Sequence, residues 1–247
     1  MSIVLLLALL AVPPSPKLLR LPAETIVLTY HDVIAKRDKD ALWFDCTSQE
    51  LIDQIDWMIS KGCHFISVDQ LYRHLSTGEA LPAMPVLITF ADNYLGFYER
   101  GLPLLRERKI PTVMFVHTDF VGNSTGRPKM SWKQLLELDK EGLVTIASQT
   151  RTHPQDLTKL NGEQLRWELV GSRRVLEEKL GHEILYLAYP NGKFDDRVAT
   201  YSEAAKYKMA FTEEQEPAEI ANSIFVIPRY VHTKFRTAIG QQLRLLR

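Results

Sequence analysis

Charge of either sign is not in excess in this chain: 30 Lys and Arg stand against 30 Asp and Glu, a formal net charge of zero. A nucleic-acid-binding domain ordinarily carries a basic excess or stripe, and a membrane-surface patch needs clustered Lys and Arg. Neither pattern is present. Cysteine is scarce, two residues in 247, which excludes a small disulfide-dense scaffold. Cys46 and Cys63 fall in no CxxC or metal-ligand spacing. They read as buried thiols, although an exported protein could pair them. No internal repeat, low-complexity stretch or interdomain linker interrupts the chain. No apolar run reaches the roughly 20 residues that cross a bilayer as a helix.

What is present points to one α/β domain. The 45% hydrophobic fraction suffices for a substantial core, and α/β barrels reach this length undivided. Ile3 to Val12 (IVLLLALLAV) is a short apolar run followed by Pro13, Pro14 and Pro16. Its length suits the core of a signal peptide. Residues 1–22 are therefore expected to be a signal peptide or N-terminal anchor, with export to the periplasm, envelope or extracellular space. Residues 23–247 are expected to form the domain.

Strand and helix patterns alternate along that domain. Strands are expected at Thr25–Val33, Phe65–Val68, Pro85–Asp92, Pro111–Val116, Leu143–Ser148, Leu185–Tyr189, Met209–Thr212 and Phe225–Val231. Helices lie between most of them. Thr47 with Glu50, Ser131 with Gln134 and Asn161 with Gln164 have the spacing of capping boxes, and Gly62 and Gly181 stand where helices stop. Such alternation indicates βαβ units and a parallel sheet. Seven or eight units close most simply as an irregular (β/α) barrel.

In such barrels chemistry gathers at the C-terminal strand ends. Those ends carry His31 and Asp32, Asp92, His117, Gln149 with His153 close behind, Tyr189 to Gly192, and His232. Imidazole and carboxylate together suit Zn²⁺ or a similar divalent ion.

Four stretches carry a resemblance to a known family. They are Thr29-Tyr30-His31-Asp32-Val33, Thr89-Phe90-Ala91-Asp92-Asn93, Ser148-Gln149-Thr150-Arg151-Thr152-His153-Pro154 and Ala188-Tyr189-Pro190-Asn191-Gly192. In order and spacing, from about Ile26 to His232, they resemble the polysaccharide deacetylases, the NodB-homology domain of carbohydrate esterase family 4. The resemblance implies metal-dependent hydrolysis of the N-acetyl amide of a cell-surface or extracellular polysaccharide. A metal held by one Asp and two His activates water, a neighbouring Asp takes its proton, and a His protonates the leaving amine.

Carried over by position, Asp92 and His153 match two metal ligands, and Gln149 replaces the third. Ala91 replaces the base Asp, Asn93 replaces a Gly, and Ala188 replaces an Arg. His232 corresponds to the acid His. Asp32 is a substitute base, and His31 and His117 are rim groups that could complete the site; equally, His31 and Asp32 could brace the barrel top. Tyr189 to Gly192 read either as a plain turn or as a turn in which Tyr189 offers an oxyanion N–H and Pro190 and Asn191 contact sugar; Trp132 reads either as a sugar contact or as a core-packing residue. A divalent metal, Zn²⁺ before others, would be weakly held or missing with this ligand set. The expected function is therefore a polysaccharide deacetylase-like protein with activity reduced or lost. The alternatives are a non-catalytic glycan-binding or assembly protein on the same fold, and a C–N hydrolase acting on a small amide or cyclic ureide.

Overall fold

A computed structural model describes residues 18, 19, 21 and 25–245; the apolar run Ile3 to Val12 and the signal-peptide assignment resting on it lie outside the described residues. In chain order the elements are β1 (Ile26–Tyr30), β2 (Val33–Ile34), β3 (Cys46–Thr47), α1 (Ser48–Ser60), β4 (His64–Phe65) and α2 (Val68–Thr77). Next come β5 (Pro85–Phe90), α3 (Leu102–Arg108), β6 (Thr112–Val116), α4 (Trp132–Glu141), β7 (Val144–Ser148) and α5 (Gly162–Leu180). The chain continues with β8 (Tyr186–Ala188), α6 (Asp196–Ala204), β9 (Met209–Phe211), β10 (Tyr230–Val231) and α7 (Phe235–Leu245).

Local chemistry sets the helix ends. Thr47, Ser131 and Asn161 each accept a hydrogen bond from the backbone N–H three residues on, and Glu50, Gln134 and Gln164 return it. Ser67 with Gln70 makes a fourth such box at α2. Because Ser67 caps, Val68 opens α2 rather than ending a strand, and the expected strand at 65–68 shortens to β4. Leu51, Ile55 and Met58 form the buried face of α1, the spacing of one helical stripe.

Every residue of β1, β5 and β6 is buried, as expected of strands covered on both faces. The strands pair in parallel in the order β10-β1-β5-β6-β7-β8-β9, with β4 beside the start of β5. Ile26–Tyr30 run in register with Val86–Phe90. The Ile227 N–H donates to Ala210 O and the Thr212 N–H to Ile227 O. These bonds draw the free edge of β9 toward β10 and curl the sheet into the irregular barrel anticipated.

Elements near the C-terminus also depart from expectation. The strand expected over 225–231 is reduced to β10, because Pro228 has no N–H to place in a ladder and Ile227 is left as an isolated bridge to Phe211. Helix α7 was not announced by the pattern; it lacks a strong cap residue and carries Gly240 inside, yet buries Phe235, Ala238 and Ile239. Cys46 and Cys63 are free and buried. Among the described residues no helix is long and apolar enough to cross a membrane.

Candidate functional site

The strand order brings the ends of β1, β5, β7, β8 and β9 to one rim. There His31, Asp92, Gln149, His153 and Asn191 face one cavity of about 240 Å³, together with Trp43, Phe44, Glu213 and Val231. A larger cavity of about 710 Å³ lies between α6 and the 214–228 segment. No histidine and none of the strand-end residues lines it, so the smaller cavity is the candidate site.

Backbone strain is concentrated at the rim. Asp92, Asn93, Thr150, His153 and Asn191 all have positive φ, a conformation that costs non-glycine residues energy and collects at functional sites. Asn93 holds φ 39°. Asparagine is among the residues that best tolerate this region, so Asn93 can hold this turn without a glycine. Gly192 (φ 64°) packs on the backbone of Glu213, where a Cβ would meet Glu213 N at 2.7 Å.

Asp92 is the centre of the site. Its Oδ1 lies 3.6 Å from His153 Nε2 and is buried with no hydrogen-bond partner. Burial opposes ionisation of Asp92, but His31, His117, His153 and Lys129 outweigh it and hold the carboxyl below its ordinary value. The backbone carbonyl of Asp92 accepts from Lys129 Nζ at 2.8 Å and contacts His117 Nε2 at 3.1 Å. Burial pushes the Lys129 ammonium down to about 8 and the His117 imidazole down to about 4. His117 thus stands behind Asp92 as a neutral support and is not part of the cavity lining.

Two of the side chains expected as metal ligands therefore converge, Asp92 Oδ1 and His153 Nε2. Gln149 does not supply a third in the same way. Its Oε1 accepts the Asp92 N–H at 2.8 Å, so one of the two lone pairs of this neutral oxygen is already engaged. Among the described residues no group of three His, Cys, Asp or Glu side chains is arranged to hold a metal. Catalytic zinc normally has three protein ligands, and this donor set does not fit that requirement. Ala91 is fully buried and its N–H donates to Tyr30 O; it brings no proton acceptor beside Asp92.

The remaining expected site residues lie elsewhere. Asp32 turns away from the Asp92 cavity toward Arg127 Nη1, 3.7 Å distant, and burial raises its carboxyl pKa. It lines a separate cavity with Arg100 and Arg127. His232 stacks on Tyr30 with ring centroids 4.7 Å apart, and both its ring nitrogens are engaged. Tyr30 donates to Gln54 Oε1, so Gln54 Nε2 donates to His232 Nδ1 and His232 Nε2–H donates to Phe44 O. Tyr189 spends its N–H on Phe211 O and its hydroxyl on Phe225 O. Pro190 is buried under the Tyr189–Gly192 turn, outside the cavity lining. Trp132 begins α4 and packs on the core.

Four cavity residues escaped sequence reasoning, among them Val231 at the end of β10. Glu213 lies just beyond β9, and reading that strand's end as the others were read would have found it. Trp43 and Phe44 sit in the 35–45 loop, where an aromatic pair among charged residues was the available signal. Glu213 Oε1 lies 3.6 Å from the fully buried Arg229, which also donates to Thr212 O and Thr29 Oγ1.

Comparison with known proteins agrees with this fold. The polysaccharide deacetylase family profile matches residues 78–210. The chain is 27% identical over 238 residues to a poly-β-1,6-N-acetyl-D-glucosamine N-deacetylase of Staphylococcus aureus strain N315, covering 87% of this chain and 81% of that protein. Among solved structures it is similar to the deacetylase PplD of Streptococcus pyogenes (TM-score 0.80, 22% identity, 92% of this chain and 100% of that one). It is also similar to IcaB of Ammonifex degensii (TM-score 0.77, 23% identity, 89% and 97%). At these identities the solved structures speak for the fold, and the profile, which spans more than half of the chain, establishes that the protein belongs to the polysaccharide deacetylase family.

Proposed function

We propose that this chain engages N-acetylated extracellular polysaccharide at the Asp92 cavity, with the family's deacetylation strongly reduced or lost. The observation that carries the reading is the state of Asp92. It keeps His153 at 3.6 Å and a buried unpartnered Oδ1, while the neighbouring position is alanine and Gln149 Oε1 is bonded to the Asp92 N–H. A positioned general base is worth roughly 10²–10⁴-fold, and Ala91 forfeits that contribution. What the residues present can do is bind. Asp92, Gln149, Asn191 and Glu213 offer acceptors and amides to hydroxyl and acetamido groups, and Trp43 and Phe44 offer an apolar wall. Poly-β-1,6-N-acetylglucosamine is the model ligand, by analogy with the Staphylococcus aureus relative. Action on such a polymer also implies export.

Acetate release and calorimetric binding, measured on one oligomer of β-1,6-linked N-acetylglucosamine, test this reading. The expected result is measurable binding with acetate release at least 10²-fold below that of an intact family member, the low end of the loss of a base. Full deacetylase turnover would contradict the reduced activity. No binding at all would contradict the glycan reading.

A further inference from the structure

The four tryptophans differ in what covers their rings. Trp57 has Lys61 Nζ at 5.5 Å and Arg236 Cζ at 4.7 Å from its centroid. Trp167 lies under Arg151 at 4.3 Å. Trp132 has Lys179 at 5.9 Å and packs on the core. Trp43 is different: among the described residues no cation lies over it, its ring meets Phe44 edge-on at 5.5 Å and 80°, and it is 66% exposed. An indole left open in this way forgoes the favourable burial of a large apolar surface.

Its position gives that exposure a use. Trp43 stands on the lip of the Asp92 cavity, on a loop that is tied down. The β2–β3 pair closes the loop at its base. Arg127 donates to both carboxylate oxygens of Asp45, at 2.5 and 2.7 Å, and to Asp40 O. The Leu42 N–H donates to Asp45 Oδ2, and His232 holds the Phe44 carbonyl. The indole is thereby presented on a preorganised support, which lowers the ordering cost of binding.

Cavity size supplies the second half of the argument. At about 240 Å³ the cavity is smaller than the roughly 300–1,000 Å³ of pockets that envelop a drug-sized ligand. It has room for about one sugar unit, so adjacent units of a polymer must lie across the lip. A pyranose ring has a face of C–H groups suited to an aromatic plane, and the indole combines such a plane with a polar N–H.

We propose that Trp43 is a substrate-binding residue, the stacking platform for the sugar unit next to the one seated in the Asp92 cavity. The proposal rests on the glycan reading given above. Calorimetric titration of the full chain with N-acetylglucosamine and with its β-1,6-linked tetramer tests it. Trp43→Ala is expected to weaken tetramer binding about tenfold, the loss of one aromatic anchor, and monomer binding by a much smaller factor. Trp43→Tyr should retain most of the tetramer affinity, and Trp167→Ala all of it. Tetramer binding that is equal in wild type and Trp43→Ala overturns the platform while leaving the glycan reading intact. Failure of the wild-type chain to bind either sugar overturns both.

Discussion

Ala91 and Gln149 adjoin Asp92 with groups that cannot do what Asp and His would do. Restoring them together is the direct test of the residue mapping. Ala91→Asp with Gln149→His, supplied with Zn²⁺, is expected to raise acetate release by at least about 10²-fold, the low end of what a positioned base contributes. No gain in a folded double variant would contradict the mapping. His232 makes a different prediction. Burial lowers its pKa from 6.5 to about 4, against the bond to Phe44 O and with smaller effects of His31, Glu50 and Arg37. The unfolded chain therefore binds the proton first. Stability from this group is full above pH 6.5 and is lost as pH falls toward 4, on the order of 2–3 kcal/mol in all. His117 acts in the same direction over the same window. His232→Gln should flatten the decline in urea midpoint between pH 7 and pH 4.5; an unchanged decline would assign it elsewhere.

At the scale of elements, stability rests partly on caps that the sequence announces. Ser131 accepts from Gln134 N and is bonded in return by its side chain. Ser131→Ala is expected to cost about 1 kcal/mol, read as a lower urea midpoint with unchanged slope. Three of the four capping boxes, the glycine stops and the buried strands were legible because each is a local signal. The strand over 225–231 was over-read, since its apolar run hides the missing N–H of Pro228. Helix α7 went unread because its buried face is declared by packing on the barrel, including Gln242 Nε2 donating to Pro85 O, and not by a cap.

Across the whole molecule, the parallel sheet decides which residues meet. Strand-end position predicted the cavity's Asp92, Gln149, His153 and Asn191. It did not predict direction. His31 and Asp32 are consecutive, so their side chains part: His31 turns to the cavity and Asp32 to Arg127. Tyr189 and His232 lie at strand ends as well, but their polar atoms are consumed by Phe211, Phe225, Gln54 and Phe44. Conversely, Trp43 reaches the rim from a loop that strand periodicity does not describe. The fold is thus that of the polysaccharide deacetylase family, while of the three metal ligands that the resemblance implies only Asp92 and His153 come together. The most direct test is zinc content by mass spectrometry after the purified chain is loaded with Zn²⁺ and dialysed. The account predicts far less than one equivalent in the wild-type chain and close to one in the Ala91→Asp, Gln149→His variant. One tightly held equivalent in the wild type would contradict it.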